Sequence, residues 1–378
     1  MRIIISLTSY PSRIDGVYKV IESLCRQTVP VDEIVLYLSS EEFPDREDGI
    51  PFRLRSLSGK GGFRIEWVGG NLKSHKKYYY ALRQYRKDIV ITVDDDKIYA
   101  DTMVSDLIES WRRFPDAISA RSVRMIVKKN GALEVYSKWK TRLEQYVDSP
   151  RMDLCATGVG GICYPPFVTD DNWFNLDDIL HMAENQDDLW LKYNEIINNV
   201  PVVYVEPSQN DVTIEGSQTV RLASANLYGG ENDKCINDLI GFMRNKRPEK
   251  YNDWFQNLMS ADEYYHYRFE AMIDSVGAVR IYLYGAGKTA LFYLDLLEQL
   301  QLTDMISAVV VTDKTVNPLE IRGINIIQFD EIAEEGKIGI IYGVSEANRT
   351  EIQYLLRRYD YQFISFNMTE IKKYYSEK

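Results

Sequence analysis

Three consecutive carboxylates, Asp94 to Asp96, are the residues of this sequence best suited to chemistry. They directly follow the apolar, β-branched run Ile89 to Val93, which is typical of a buried strand that ends at the edge of a sheet. Carboxylates this close repel one another by about 1–3 kcal/mol unless a cation or a basic partner offsets their charge. Because the ligands are hard oxygens with no Cys or His nearby, the run predicts a Mg²⁺ or Mn²⁺ site.

Other interpretations of the carboxylate run are a solvated acidic turn and two known motifs. The solvated turn, before a helix that begins near Asp101, stays open. An EF-hand loop is excluded because Ile98 and Tyr99 occupy its fifth and sixth positions, which need an oxygen ligand and glycine. A phosphatase of the haloacid-dehalogenase type has two Asp residues spaced like Asp94 and Asp96. That family usually has Thr or Val at the position of Ile98, and no second strand ends in its later acidic motif, so it is a minor alternative.

A second acidic pair, Asp187 and Asp188, lies roughly 90 positions after the first run. The pair begins a predicted helix whose residues Leu189, Tyr193 and Ile196 share one face. Asp at a helix N-terminus often serves only as a cap that the helix dipole favours. A catalytic base is the other interpretation, and both stay open on the residues alone.

The elements around the first acidic run predict how the run is positioned. Apolar runs predict four strands in order, and helical patterns precede Pro30 and span the segment from about His75 to Tyr85. The result is a β-α-β-α-β order in an α/β fold, with a mixed sheet flanked by helices. The four strands are predicted at residues 2–7, 33–38, 63–68 and 89–93.

Three segments carry a family resemblance: SLTSYPSRI, NLKSHKKYYYAL and ITVDDDKIYADTMVSDLIESW. They resemble the nucleotide-binding half of family-2-like GT-A glycosyltransferases of bacterial polysaccharide assembly, over roughly residues 1–245. The resemblance implies a metal-dependent transferase that moves a sugar from a nucleoside-diphosphate sugar to a hydroxyl of a glycan or lipid-linked glycan. The expected pathway is that of a bacterial surface polysaccharide, of capsule or O-antigen type, with inversion at the sugar.

The resemblance also implies roles for the two acidic groups. Asp96 is expected to be the direct metal ligand, and Asp94 a metal contact or a contact to the ribose or a bound water. Asp95 alternates to the opposite side of an extended segment, so we expect it to support the others. Asp188 matches the position of the base that takes the proton from the acceptor hydroxyl, with Asp187 orienting it. This chain has Asp-Asp where Glu-Asp is commoner.

The remaining donor contacts are expected from the first loop, the helix before the acidic run, and a glycine-rich segment. Basic residues would complete the diphosphate site, although Lys residues at a helix start are often only solvated. Tyr10 could stack on the base or be an ordinary loop aromatic. The glycine-rich segment 154–166 is either a bulged strand or a wall of the active site. The candidate contacts are Thr8, Tyr10, Arg13, Lys73, Lys76, Lys77, Asp94, Asp95, Gly160 and Gly161.

The last hundred residues predict a second, smaller α/β unit. Strands are expected at 279–284, 306–311 and 337–342, and Gly285-x-Gly287-x-x-Ala290 fits a dinucleotide fingerprint with Asp313 as a ribose contact. A Walker A loop is excluded because Tyr282 occupies the position of its first glycine. The unit resembles Rossmann-like domains appended to bacterial polysaccharide enzymes. We expect oligomerisation, partner docking or binding of a nucleotide-like ligand, and not redox chemistry.

The predicted organisation is a GT-A domain over 1–245, a helical linker over 246–276 and a Rossmann-like auxiliary domain over 277–378. One helix from about Asn252 to Asp274 is expected to bridge the two domains. The basic run Arg244 to Lys250, followed by Trp254, Phe255 and Leu258, allows a peripheral contact with a membrane surface. An ordinary charged helix explains the same pattern.

Composition narrows the class of protein. The chain has 378 residues and is 45% hydrophobic, which argues against disorder. Its 45 basic and 56 acidic residues give a net charge of −11, which disfavours nucleic-acid binding. The four cysteines match no zinc spacing and indicate reduced thiols in a cytoplasm. No membrane span or signal peptide is apparent, so we expect a cytoplasmic protein, with the inner face of the plasma membrane as a further option.

Two rival functions follow from the same sequence. A sugar nucleotidyltransferase would be expected to open with a glycine-rich basic loop where this chain has Thr8 to Arg13. A nucleotide-sugar-binding or non-catalytic assembly protein stays open, because the sequence of a degenerate site looks much like that of an active one.

Overall fold

A computed structural model describes residues 1–214, 230–276, 280–299, 301–332, 338–344, 348–349, 352 and 363–365. The chain divides into two compact units, Met1–Ser260 and Ala261–Lys378. The predicted domain limits of 245 and 277 stay a prediction. The prediction of an α/β protein with a large mixed sheet and a second, smaller sheet near its C-terminus is confirmed.

The first unit is built on an eight-stranded mixed sheet. The predicted strand at 63–68 is observed, and the other three predicted strands agree within one or two residues. The strands of this unit are β1 Ile3–Thr8, β2 Glu33–Ser39, β3 Phe63–Val68, β4 Ile89–Thr92, β5 Lys97–Ile98, β6 Ile118–Ala120, β7 Val123–Met125, β8 Lys128–Lys129, β9 Ala132–Leu133, β10 Pro150–Arg151, β11 Leu154–Ala156, β12 Ile162–Tyr164, β13 Val202–Tyr204 and β14 Val212–Thr213.

The order of strands in the large sheet is β10-β13-β6-β12-β4-β1-β2-β3. β1 lies between β2 and β4 and pairs with both in parallel. β12 pairs antiparallel with β4 and with β6, which makes the sheet mixed. β4 is therefore a central strand, and the carboxylates after it leave the sheet at a point where strands of both directions meet.

Helices cover the sheet with their apolar faces. In α1, the buried residues Val17, Val20, Ile21 and Leu24 recur at the three- and four-residue spacing of one helix face. The α-helices among the described residues of this unit are α1 Val17–Leu24, α2 Phe52–Arg55, α3 Lys76–Gln84, α4 Met103–Arg113, α5 Leu176–Met182, α6 Asp187–Asn198, α7 Glu231–Lys246 and α8 Pro248–Gln256.

The prediction of a single helix over residues 252–274 is wrong. α8 ends at Gln256, and a new helix, α9 Ala261–Val276, begins five residues later. The carbonyl of Met259 accepts a hydrogen bond from the backbone N–H of Lys128 at 3.0 Å. A continuous helix would use that carbonyl internally, so pairing with the neighbouring strand β8 interrupts it.

The second unit contains a six-stranded, mostly parallel sheet of order β17-β18-β16-β15-β19-β20. The three strands predicted from sequence are observed as β15, β16 and β19. The helices and strands described after α9 are β15 Arg280–Tyr284, α10 Lys288–Gln299, β16 Ile306–Val311, β17 Glu320–Ile321, β18 Ile324–Gln328, β19 Ile338–Tyr342 and β20 Phe363–Ser365.

Packing explains the glycine-rich turn between β15 and α10. Gly285 has a φ of +103°, and a Cβ there would lie 2.8 Å from Val344 and 3.0 Å from the carbonyl oxygen of Gly343. Asp313 accepts hydrogen bonds from the N–H and hydroxyl of Thr315, at 2.8 and 2.6 Å, and so caps its own turn. Close packing alone accounts for Gly285, so the fingerprint does not by itself indicate a dinucleotide.

Candidate functional site

The acidic run after β4 is held in a turn that Tyr99 closes. The Asp94 N–H donates to the buried Tyr99 hydroxyl at 2.8 Å, and the Val93 N–H continues the parallel ladder to the Ser6 carbonyl at 3.0 Å. The three carboxylates therefore follow closely on the end of a central strand.

Arg13 binds two of the three carboxylates. Its Nη1 lies 2.8 Å from Asp95 Oδ1 and 3.3 Å from Asp96 Oδ2. Asp95 also accepts a hydrogen bond from the Ser9 hydroxyl at 2.6 Å. Asp95 is thus tied to the loop after β1. The Arg13 guanidinium also lies 5.5 Å from the centroid of the Tyr10 ring.

Burial changes the charge balance of this run. Burial raises the pKa of Asp95 above its ordinary value, and Arg13 offsets only part of the effect. Burial and the neighbouring Asp94 likewise raise the pKa of Asp96. One guanidinium therefore does not fully stabilise two adjacent carboxylates, which leaves the site short of positive charge.

Lys77, in the first turn of α3, joins the two acidic groups. Its Nζ lies 2.8 Å from Asp94 Oδ1 and 2.9 Å from Asp187 Oδ2. Burial alone would lower the pKa of Lys77, but Asp187 and Asp94 outweigh it and hold the pKa well above its usual value. The ammonium is therefore charged and bridges elements that are 110 positions apart in the chain.

Asp187 and Asp188 begin α6 and titrate in opposite directions. Burial raises the pKa of Asp187, but Lys77, His75 and a hydrogen bond from Ser74 lower it below the ordinary value. Burial and the adjacent Asp187 raise the pKa of Asp188 well above its ordinary value. The Asp188 carboxylate accepts a hydrogen bond from the Gly158 N–H at 3.3 Å.

Gly158 lies where the two acidic groups approach each other. A Cβ at this position would lie 2.7 Å from Asp94 Oδ1 and 2.7 Å from Lys77 Nζ. The residue belongs to a 3-10 turn, Gly158–Gly160, that connects β11 to β12. The glycine-rich segment is therefore a tight turn against the acidic site, and a side chain at its first position would displace the Asp94 carboxylate and the Lys77 ammonium.

A cavity of about 450 Å³ opens beside this turn. Asp94, Gly158 and Asp188 line it, so both acidic groups face one space. Three further side chains that sequence reasoning missed also line it: Arg121, Arg124 and Tyr136.

Arg121 is a buried group with partners from distant parts of the chain. It lies 3.4 Å from Asp106 and 3.2 Å from Asp211, and it donates to the Gln209 carbonyl at 2.8 Å. No local pattern in the sequence marks these partners, because the pairing depends on how the strands associate. His75 was missed for the same reason. Its ring bonds to the Tyr78 hydroxyl and the Ala183 carbonyl.

Other candidates from the sequence are engaged away from the carboxylates. The Thr8 hydroxyl donates to the Tyr37 carbonyl at 2.8 Å. Lys73 pairs with Glu184 at 2.7 Å, and Lys76 is buried and pairs with Glu42.

Gly160 and Gly161 pack against protein groups. A Cβ on Gly160 would lie 2.8 Å from the Ser122 N–H nitrogen. Gly161 has a φ of +89°, and a Cβ there would lie 3.2 Å from Met103 Sδ. We therefore find a packing role for both, and the cavity lining contains Gly158 instead.

The charges of the site suit a divalent cation. Among the described residues, no group of three or more His, Cys, Asp or Glu side chains is arranged to hold a metal. Mg²⁺ is commonly held by one or two carboxylates together with the phosphates of a substrate, so a complete protein cage is not required. Two cations, Lys77 and Arg13, form ion pairs with four carboxylates of the two acidic groups: Asp94, Asp95, Asp96 and Asp187. This excess of negative charge fits a metal that binds with its ligand.

Two of the apolar residues proposed for a membrane contact are buried, although the basic run before them is mostly exposed. Trp254 and Leu258 are 6% and 3% exposed, which favours an ordinary charged helix over a membrane contact at these two positions. In the described part of the chain, no helix is both long and apolar enough to cross a bilayer. The four cysteines are free thiols.

The comparisons with known proteins find only remote similarity. No protein-family model and no curated protein sequence matches the chain. TarS 1-349 from S. aureus in complex with UDP-GlcNAc shares 13% identity, with a TM-score of 0.39 over 66% of this chain and 69% of that chain. The mannosyltransferase PcManGT from Pyrobaculum calidifontis in complex with GDP-Man and Mn²⁺ shares 13% identity, with a TM-score of 0.41 over 80% and 83%. Similarity this remote does not identify a function. A functional proposal therefore has to rest on the geometry of the chain's own residues.

Proposed function

We propose that the chain is a metal-dependent glycosyltransferase that moves a sugar from a nucleoside-diphosphate donor to a hydroxyl of a glycan or lipid-linked glycan. One observation carries the proposal: Asp94 and Asp188 line the same cavity, and Lys77 links the two acidic groups. A strand-end carboxylate run and a separate carboxylate with a raised pKa are the two parts that such a transfer needs.

The donor end of the site is assigned to the run after β4. Asp96 and Asp94 are the proposed metal ligands. Arg13 would contact the diphosphate of the donor when the diphosphate approaches Asp96. When bound, a Mg²⁺ or Mn²⁺ ion offsets the negative charge that develops on the leaving diphosphate. Tyr10 is near enough to Arg13 to flank the same ligand.

The acceptor end is assigned to Asp188. A general base is most effective when its pKa is close to the working pH, and the pKa of Asp188 is raised in that direction. Asp188 would accept the proton of the acceptor hydroxyl while the oxygen forms a bond to the anomeric carbon. The bond from that carbon to the donor oxygen breaks, and its electron pair leaves with the nucleoside diphosphate. Attack opposite the leaving group inverts the sugar.

Asp187 is proposed to position the base and not to react. It is paired with the buried Lys77 and accepts a hydrogen bond from Ser74. These contacts fix the first turn of α6 and so the direction of Asp188. The pathway we propose is surface-polysaccharide assembly in a bacterium, in the cytoplasm or at the inner face of the plasma membrane, on the resemblance of residues 1–245 alone.

The proposal is tested with the purified full chain and a panel of UDP, GDP and dTDP sugars. We expect at least one donor to raise the melting temperature with Mn²⁺ and not with EDTA, because a ligand that binds only the folded state stabilises it. The same donor should release its nucleoside diphosphate.

A matched pair of variants tests the metal assignment. Asp96→Asn should lose metal-dependent donor binding in calorimetry, and Asp101→Asn should keep it. Asp101 is an exposed carboxylate on the same connection, paired only loosely with Arg26 at 3.6 Å. Donor affinity that depends on Mn²⁺ equally in both variants contradicts the role of Asp96. Donor binding without any release of diphosphate would favour the non-catalytic alternative.

A further inference from the structure

Arg124 is a positive group in the cavity that the proposed reaction does not use. Its guanidinium lies 4.9 Å from the centroid of the Tyr136 ring, and both side chains line the cavity with Asp188. Within the part of the chain that the structure describes, Arg124 forms no ion pair. Arg121, which lines the same cavity, is by contrast neutralised by two carboxylates.

The Tyr136 ring, over which this guanidinium lies, is itself held in place by two contacts. The Tyr136 N–H donates to Asp233, near the start of α7, at 2.7 Å. Its ring lies against Trp139, with centroids 4.9 Å apart. A guanidinium on a fixed aromatic face has a set orientation and presents a planar fork of donors, which matches carboxylate and phosphate oxygens. Arg124 is therefore arranged to bind an anion.

The position of Arg124 relative to Asp188 indicates which substrate brings that anion. Arg124 of β7 pairs in register with Cys155 of β11, and the Cys155 thiol lies 3.9 Å from the main-chain carbonyl of Asp188. The Asp94 carboxylate, in contrast, is paired with Lys77 at 2.8 Å. Arg124 is thus close to the proposed base, whereas Asp94, on the same cavity, already has a cation beside it in Lys77.

We infer that the acceptor carries an anionic group, a phosphate or a carboxylate, that Arg124 binds while a nearby hydroxyl of the acceptor faces Asp188. This inference rests on the proposed function, because it presumes that Asp188 marks the acceptor end. It goes beyond that function in naming the chemical class of the acceptor: a charged sugar or a glycan with charged units.

Three matched sugars test the inference by calorimetry on the full chain: glucose, glucose 6-phosphate and glucuronate. At least one of the two anionic sugars should bind about tenfold or more tightly than glucose, as expected for a charge-assisted hydrogen bond to Arg. Preference for glucose 6-phosphate would identify a phosphate-bearing acceptor, and preference for glucuronate a carboxylate-bearing one.

Arg124→Gln should bring the affinities for the three sugars within about twofold of one another, because the charged fork is lost. Arg83→Gln is the matched control. Arg83 is also an arginine over a tyrosine, 5.1 Å from the Tyr79 ring, but it is exposed and outside the cavity. If Arg124→Gln fails to fold, Arg124→Lys keeps the charge without the planar fork and should show a reduced preference.

Equal binding of the three sugars to the wild-type chain overturns the inference without any variant. A preference that survives Arg124→Gln, or a loss confined to nucleotide-sugar affinity in that variant, overturns it as well. Donor binding by the wild-type chain is measured in the same samples. Its absence contradicts the glycosyltransferase itself, whereas intact donor binding with no anionic preference contradicts only the role of Arg124.

Discussion

Two adjacent carboxylates at the start of α6 show how the surroundings, and not residue type, set chemical behaviour. Asp187 has a charged partner in Lys77 at 2.9 Å, whereas Asp188 has the backbone N–H of Gly158 at 3.3 Å. The pKa of the first is lowered and that of the second is raised. Environments that separate two pKa values in this way are a common basis for dividing supporting and proton-transfer roles.

Replacing the proposed base should slow the reaction without weakening the binding of the donor. We expect Asp188→Asn to reduce turnover by about 10²–10⁴, the usual cost of losing a general base. Donor affinity should change little, because the donor contacts are assigned to Asp94, Asp96 and Arg13. The readouts are the rate of diphosphate release and donor calorimetry. Turnover within a few-fold of wild type would reduce Asp188 to a helix cap, and a loss of donor binding would make it a donor contact.

The raised pKa of Asp188 also predicts how stability depends on pH. Between the unfolded pKa of about 3.9 and the raised folded pKa, the folded state holds the extra proton, so stability falls as pH rises through that range. Asp188→Asn removes this loss. The variant should therefore melt higher than wild type at pH 7 to 8, and the difference should shrink toward pH 4. Melting curves across this range check the sign, and a gain that grows on acidification contradicts it.

At the scale of elements, the site depends on a contact between the start of α3 and the start of α6. Lys77 is the only described residue that forms ion pairs with both Asp94 and Asp187. The glycine turn between β11 and β12 lets these groups approach, since Gly158 has no side chain to separate them. The bridge therefore sets the distance between the proposed donor and acceptor ends.

Removing the ammonium should destabilise the first unit. Lys77→Met leaves two buried or partly buried carboxylates without their cation, which costs about 3–5 kcal/mol of unfolding free energy for a broken buried pair. The control is Lys73→Met, which removes a pair with Glu184 that is 39% and 51% exposed and should cost under about 1 kcal/mol. Urea unfolding of both variants measures the difference. Equal and small losses of unfolding free energy in the two variants would show that the Lys77 bridge does not stabilise the fold.

The sequence predicted the two acidic groups of the site better than the contacts that join them. The strand before Asp94 and the helix at Asp187 follow from local hydrophobic patterns, which the chain carries within a few residues. The pairing of Lys77 with Asp187 depends on tertiary packing, and so do the positions of Arg121, Arg124 and Tyr136. The continuous helix over 252–274 failed for the same reason, because β-type pairing at Met259 overrode local helix propensity.

At the scale of the whole molecule, the residues of the proposed site belong to one unit. All of them precede Ser260, where the first compact unit ends. The second unit has its own hydrophobic cluster, which includes Tyr284, Val310 and Ile340. A unit with its own core can in principle fold alone, which supports the proposal that the second unit has an auxiliary role in assembly or docking.

A chain cut after Ser260 should therefore keep metal-dependent donor binding. We expect its donor affinity to stay within about threefold of the full chain, since no proposed contact is removed. Calorimetry gives the affinity, and sedimentation of both chains shows whether assembly state changes. The separate fragment from Ala261 should bind neither NAD(H) nor NADP(H). Micromolar affinity for either cofactor, with oxidation or reduction of a nucleotide sugar by the full chain, would make the second unit a redox module.

The parallel pairing of β1 with β4 has a kinetic consequence. Ser9 and Asp95, which this pairing brings together, are 86 positions apart, and the bridge from Lys77 to Asp187 spans a longer interval still. Contacts between such distant segments form late, because the loops between them must close first. Recovery of donor binding should thus coincide with the slowest phase of refolding. During synthesis, a nascent chain would remain unable to bind its substrate until α6 had emerged from the ribosome.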